Sequence, residues 1–508
     1  MLAKIMSGAT VGLDAILVEV EVDVPEEGLP SFTIVGLPDK AVEEAKERVR
    51  SAIKNSGNDF PSSRITVNLA PADLPKAGPS YDLPIALGIL IASGQINPNV
   101  KNSLFFGELS LDGSLRRTNG ILPMVYLAKE KKYEKVFIPK PNEKEASVVS
   151  GTNIFSVESL LELVRLFRGV VEIPPTKKVP IKKLLSAGGA EFDFSEIVGQ
   201  ESAKRALEIA AAGSHNIFLK GTPGSGKTML ARALPGILPL LTEDEALEVT
   251  KIYSISGNLN PEVAIISTRP FRSPHHTTSR IGLIGGGTNP SPGEVSLAHR
   301  GVLFLDELPE FPRNVLESLR QPIEDARVNI SRAKGSVTYP ASFLLVAASN
   351  PCPCGYFGDP KKPCKCLPGA VFRYQKRISG PILDRIDLHT DVPSVETQKL
   401  VSQKDIGEKS KVIQQRVQKA RNTQLARFKG SKIKSNSEMT TKEVSDFSPI
   451  REELKSLMLS AAAQMNLTAR SYFKVIKVAR TISDLDGEKD IKWEHLAEAL
   501  QYRPKEEY

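Results

Sequence analysis

Gly221, Thr222, Pro223, Gly224, Ser225, Gly226, Lys227 and Thr228 follow one another behind the apolar triplet Ile217, Phe218 and Leu219, and ahead of a helix-patterned run at 229–234. No other stretch constrains the chain as strongly. A G-x-x-x-x-G-K-[ST] string between a strand and a helix is a P-loop, in which glycines let backbone N–H groups close round phosphate. The helix start adds positive potential. Lys227 would then reach the β- and γ-phosphates while Thr228 holds Mg²⁺. The alternative is a glycine-rich turn. The intact strand and helix flanks favour the phosphate cradle, with ATP and Mg²⁺ as the expected cofactors.

Downstream, the apolar run 302–305 ends on Asp306 and Glu307. Open α/β sheets bind ligands at the carboxyl ends of their strands, so this is the place for a Walker B acid pair. Asp306 is expected to organise Mg²⁺ and Glu307 to polarise the attacking water, because phosphoryl transfer needs positioning and charge compensation more than covalent help. A further apolar strand, 343–348, delivers Ser349 and Asn350. The placement of Asn350 resembles the sensor-1 position of AAA+ ATPases, where a polar side chain aligns the water. The alternative is a strand-ending turn before Pro351.

At 508 residues the chain exceeds one ordinary core, and about two to four domains are expected. An apolar content of 41% and a charged content of 25% describe a soluble globular protein. No apolar run approaches the ~20 residues of a membrane span. The start of the chain lacks the long apolar core of a signal peptide, so a cytoplasmic location is expected. The net charge of +8 is compatible with a polyanionic partner or with a solvated surface.

Residues 1–170 are assigned to an α/β domain, with strands at 17–24, 32–35, 64–69 and 136–138 and helices at 41–54 and 83–92. This part resembles the Lon-protease-like domain of the ribosomal-S5 type of fold. The likeness is carried by residues 75–80, ending Gly78, Pro79, Ser80, by 106–113, by Asn119, Gly120 and Ile121, and by 136–139. It implies a serine nucleophile at Ser80, yet Leu122 stands where the activating lysine belongs, and a serine without a base is a weak nucleophile. Lys129, Lys131 and Lys132 lie too far along to replace it. The domain is therefore expected to be non-catalytic, a regulatory or DNA-contacting module rather than a protease.

A proline-stiffened, then glycine-loosened stretch, 171–190, is expected to be a linker. The ATPase core is assigned to 191–393, an AAA+ parallel sheet, and a basic helical segment with a C-terminal helical lid to 394–508. Ile197, Val198, Gly199 and Gln200, followed by a helix of small apolar residues, resemble the segment that packs on adenine in AAA+ ATPases. Residues 380–388 resemble the arginine-finger stretch of magnesium chelatases and minichromosome-maintenance helicases. That resemblance implies that Arg385 points into a neighbouring subunit's ATP, with Arg373 and Arg377 as fallbacks and a salt bridge to Asp384 or Asp387 as the alternative. An arginine supplied in trans makes hydrolysis depend on assembly, and the ring implied is a hexamer. Arg470, at the start of a long helix, resembles the sensor-2 arginine of a lid, which touches the nucleotide in cis.

Between and after the Walker motifs lie inserts at 267–301 and 327–338. The second has the pattern of a hairpin with a basic tip, which makes Arg332 and Lys334 candidate DNA contacts, a solvated turn being the alternative. His275 and His276 would diverge if they lay on a strand, so no metal site is expected there. All four cysteines, Cys352, Cys354, Cys364 and Cys366, fall within an insert at 352–366. Two close thiol pairs fit a tetrahedral structural Zn²⁺ site. Free thiols or a redox pair are the alternatives. Nine basic residues from Lys409 to Lys434, with Glu408 nearby, mark where positive charge concentrates and favour polyanion contact.

Taken end to end, these features resemble the ComM/YifB family of magnesium-chelatase-like AAA+ ATPases. The family implies an ATP-driven hexameric ring that promotes branch migration of DNA in natural transformation and recombination. A chelatase-type subunit driving metal insertion or remodelling a protein partner is the alternative, and an ATP-dependent protease the third.

Overall fold

Five parallel strands carry the ATPase core, in the spatial order Phe271–Arg272, Val302–Leu305, Leu344–Ser349, Ile217–Gly221 and Leu388–Val392. In this computed structural model the described residues are 1–72, 76, 78–186, 190–287, 290–332, 335–394 and 407–504. Val302–Leu305 and Leu344–Ser349 are buried at every position. That is why they show as continuous apolar runs, since a parallel sheet is covered on both faces. Side chains alternate between the two layers. Ile217, Leu219, Phe304 and Val346 join a core with helix Glu201–Gly213 and the C-terminal helices. Phe218, Leu303, Leu305 and Leu345 face the other side. The strand that enters the P-loop lies between Leu344–Ser349 and Leu388–Val392. Chain order reverses there, which is the switch point where open α/β sheets hold ligands.

The N-terminal part is α/β, as expected, and begins earlier than the sequence pattern suggested. Strand Leu2–Val11 pairs with Asp14–Asp23 in a hairpin, and Arg64–Ala70 and Ser31–Val35 complete the sheet. Leu2–Val11 starts with clean alternation, Ala3 and Ile5 being buried, but Ser7 and Gly8 are buried too. The Ser7 hydroxyl donates to Phe105 O at 2.9 Å, so a polar residue sits in the core and hides the period. Short parallel strands Ser103–Phe105 and Asn153–Val157 flank Lys135–Pro139.

The stretch assigned as linker does not cross open space where it is described. Thr176 N donates to Ile154 O at 2.7 Å, Val179 N to Ser147 O at 3.1 Å, and Ile181 is buried with Leu241, Ala246 and Ile265 of the ATPase part. Helix Ile121–Glu130 packs on helix Glu243–Ile255. A buried Glu145–Ser254 hydrogen bond of 2.8 Å and one from Gly120 N to Ser254 O of 3.0 Å fasten that contact.

The C-terminal part is helical, with Ser410–Arg427, Glu452–Gln464, Ala469–Leu485 and Trp493–Gln501 as its main helices. Its basic residues do not form one open face. Arg416 pairs with Glu208 and Glu408, Arg427 with Asp484, and Arg421 is buried. The fold therefore spends part of the charge excess on internal pairing.

Candidate nucleotide site

The P-loop glycines open the cradle. Gly224 and Gly226 have φ of +77° and +95°, in the left-handed region that favours glycine, and no atom lies within 4 Å of where a Cβ would stand on either. Gly226 caps helix Lys227–Ala233. Lys227 Nζ donates to Gly221 O at 2.8 Å, Thr222 O at 2.9 Å and Asn350 Oδ1 at 3.2 Å. Burial pushes its pKa down, against the pull of Asp306 and Glu307. Thr228 Oγ1 donates to Asp306 Oδ2 at 2.8 Å, and Glu307 N donates to Asp306 Oδ1 at 2.9 Å. Lys227, Thr228, Asp306 and Asn350 are thus brought together at the carboxyl end of the sheet.

Among the described residues the buried hydroxyls of Thr222 and Ser225 have no hydrogen-bond partner. Buried polar atoms without partners call for an explanation, and a phosphate-bearing ligand with its cation suits this donor set. Gln200 Nε2 donates to Ser225 O at 3.1 Å and Pro393 O at 2.5 Å. It ties the loop to the fifth strand, a role its sequence neighbourhood did not show.

Glu307 stands slightly apart, with φ of +51° and a side chain 52% exposed. A left-handed non-glycine residue costs about 1 kcal/mol, so the turn that holds it is imposed by its surroundings. His276 Nδ1 lies 3.5 Å from its Oε2. The two histidines do not diverge: they lie outside any strand, and their rings lie against each other at a tilt of 34° with centroids 4.1 Å apart. His276 is therefore a neighbour of the candidate catalytic acid that the sequence did not identify.

The arginines occupy the other end of the sheet. Asp387 N and Leu388 N both donate to Asn216 O, and Ile217 is in register with Leu388. Arg385 therefore sits at the start of the strand whose far end is the P-loop, roughly 15 Å away at about 3.3 Å per residue. Arg385 pairs with Glu324 at 2.7 Å and is 10% exposed. Arg470 pairs with the same Glu324 and with Asp384, and is 47% exposed. Lys474 Nζ reaches Asp387 at 3.0 Å, which locks the Ala469–Leu485 helix to this segment. Arg470, expected to touch its own subunit's nucleotide, is held here by Glu324 and Asp384 at the amino end of the sheet, away from the P-loop. The expected alternative for Arg385, a bridge to Asp384 or Asp387, is replaced by the bridge to Glu324. Of the fallbacks, Arg377 pairs with Glu310 at 2.8 Å, and Arg373 is exposed.

The cysteines converge. The Sγ atoms of Cys352, Cys354, Cys364 and Cys366 all lie within 4.8 Å of one another. The separations of Cys352 from Cys354, Cys352 from Cys364 and Cys354 from Cys364 are 3.4, 3.7 and 3.6 Å. Four thiolates bound at about 2.3 Å round one Zn²⁺ would stand about 3.8 Å apart, so this donor set fits a tetrahedral ion. N–H groups of Tyr356 and Lys365 hold the Cys354 thiol down, at about 6, towards the thiolate that ligates metal. The knuckle also touches the P-loop: Gly355, at φ +86°, sits so close that a Cβ there would lie 2.4 Å from Pro223 Cγ.

The expected hairpin is present as Arg327–Arg332 and Gly335–Pro340, paired antiparallel. Lys334, at its tip, lies outside the described residues, and Arg332 ends the first strand. The two inserts form one unit, with the Tyr339 hydroxyl donating to Pro290 O at 2.8 Å. Gly12, at the turn of the first hairpin, abuts Val337. In the N-terminal domain Ser80 is 5% exposed and Leu122 is fully buried. Lys129 lies over the Tyr126 ring.

Family models for the magnesium chelatase subunit ChlI match residues 18–142 and 193–400, and one for its C-terminal part matches 407–503. Competence protein ComM of Haemophilus influenzae is 44% identical, over 99% of this chain and 97% of its own length. The chain belongs to the ComM/YifB family of magnesium-chelatase-like AAA+ ATPases. YifB of Escherichia coli is 42% identical over the same shares of both chains. The magnesium-chelatase 38 kDa subunit of Rhodobacter capsulatus is 31% identical, over 33% of this chain and 53% of its own. Membership of the ComM/YifB family thus extends from the first strand to the C-terminal helices, and its AAA+ core implies ATP and Mg²⁺. Among the described residues no helix is long and apolar enough to cross a membrane.

Proposed function

We propose that the protein is an ATP-hydrolysing ring motor, a hexamer, that promotes branch migration of recombining DNA in the cytoplasm. The observation that carries this reading is the split site. Phosphate and Mg²⁺ ligands gather at one end of the sheet, and Arg385 and Arg470 at the other, held by Glu324. A subunit so built completes the site of its neighbour and not its own.

In such an assembly Lys227 and the loop N–H groups hold the β- and γ-phosphates, and Thr228 with Asp306 holds Mg²⁺. The ion neutralises charge on the phosphates. Glu307, on its exposed turn, accepts the proton of the attacking water, and Asn350, hydrogen-bonded to Lys227, orients that water. Arg385 and Arg470 exchange Glu324 for the charge developing on a neighbour's γ-phosphate. The cysteine knuckle, holding Zn²⁺, braces the P-loop through Gly355.

Support for DNA as the substrate comes from the inserted hairpin, whose sequence carries Arg332 and Lys334, from the family resemblance, and from the competence protein among the relatives. The buried Ser80 and Leu122 offer no nucleophile and base for proteolysis. The chelatase subunit matches a third of the chain. ATP hydrolysis measured with and without Holliday-junction DNA, followed by strand displacement from a partly joined intermediate, tests the proposal. Stimulation with strand movement is expected; neither effect, in protein that hydrolyses ATP, would overturn the DNA assignment.

A further inference from the structure

Away from the P-loop, at the opposite end of the sheet, a cavity of about 60 Å³ lies between the ATPase core and the C-terminal helices. Arg269, Arg300 and Arg421 line it, together with Glu245, Glu438 and the Ser214 hydroxyl. The arginines are not equivalent. Arg269 pairs with Glu245 at 2.9 Å and donates also to the carbonyls of Pro239, Leu240 and Arg300, which leaves one of its five N–H groups. Arg300 makes looser pairs of 3.3 Å with Glu248 and Glu438.

Arg421 is 5% exposed and has no carboxylate within ion-pair distance among the described residues. Its fork reaches Ser214 Oγ at 2.7 Å, Ala211 O at 3.1 Å and Lys434 O at 3.3 Å. Its Nε has no hydrogen-bond partner among the described residues. Burial, and then the neighbouring Arg269, push its pKa down to about 10. Uncompensated buried charge is strongly destabilising, and of the three arginines Arg421 alone has no carboxylate partner, Arg269 having Glu245 and Arg300 having Glu248 and Glu438. A negative charge beside Arg421 would supply one.

We infer that this cavity binds a single small tetrahedral oxyanion, inorganic phosphate or sulfate, held by Arg421 with Arg300 and Arg269. An ion there joins three pieces of the chain that are far apart in sequence: the segments round Arg269 and Arg300, and the helix Ser410–Arg427. It acts as a clasp between the core and the C-terminal helices. At about 60 Å³ the cavity is sized for a small free ion. The inference is independent of what the P-loop binds.

The test uses full-length protein carrying Lys227→Ala, so that the P-loop does not compete for phosphate. Calorimetric titration at fixed ionic strength with phosphate, sulfate and, separately, AMP is expected to show one saturable site for the two free ions and none for AMP. Arg421→Lys should weaken binding about tenfold, because an ammonium cannot replace the guanidinium fork. Glu438→Gln should tighten it several-fold by removing a facing negative charge and releasing Arg300. Loosened packing cannot produce opposite signs. Absence of saturable binding, or preference for AMP, overturns the inference. If Arg421→Lys does not fold, unchanged or weaker binding by Glu438→Gln does so.

Discussion

The two ends of the central sheet are built differently. At the carboxyl end Lys227 is hydrogen-bonded to Asn350 and Thr228 to Asp306, and the buried hydroxyls of Thr222 and Ser225 have no partner among the described residues. At the amino end Arg385 and Arg470 share Glu324, with Asp384 and Lys474 fixing the lid helix beside them. A parallel sheet separates them by its own length, and in the proposed ring the carboxyl end receives the nucleotide while the amino end serves the neighbour's site.

Substitutions that silence one end at a time sharpen this contrast. Lys227→Ala should abolish nucleotide binding and reduce hydrolysis by about a thousandfold or more, read by nucleotide titration and phosphate release. Arg385→Ala should lower hydrolysis by about a thousandfold while leaving nucleotide affinity within about twofold, since the receptor end is untouched. Mixing it with Glu307→Gln protein should restore part of the activity, because interfaces form in which both required groups are intact. A mixture as inactive as its components would place Arg385 outside the neighbour's site.

Arg470→Ala should cost about tenfold in hydrolysis, less than Arg385→Ala because its charge is more solvated. Weaker nucleotide binding in a monomeric preparation would instead return it to its own subunit's site. The smallest effect expected is at the knuckle. Cys352→Ser should reduce bound zinc from about one per chain to none and lower the unfolding temperature by about 5 °C. Equal zinc content in mutant and parent would exclude the cysteines as its ligands.

The legible parts of this molecule were local. The P-loop and the acids after 302–305 are each a strand followed at once by its functional turn, so periodicity and residue type suffice. The hairpin at 327–340 and the cysteine cluster were legible for the same reason, their members being near in sequence. The first strand was hidden by buried Ser7 and Gly8, and the contact of His275 with His276 by a backbone that is not a strand.

Other features depended on partners remote in sequence. Glu324 pairs with arginines found after 380 and after 469, and Gln200 bonds Pro393 O. Within the basic run 409–434, the pairing of Arg416 with Glu208 and of Arg427 with Asp484 was likewise not legible.

By itself the sequence determined that a nucleotide-type loop, an acid pair and a polar strand end would meet, because a parallel sheet delivers its carboxyl ends to one edge. Only the tertiary structure decided which end of that sheet receives the arginines. Strand order and the docking of the lid helix on 384–388 place them, and both depend on contacts between segments that no local pattern records.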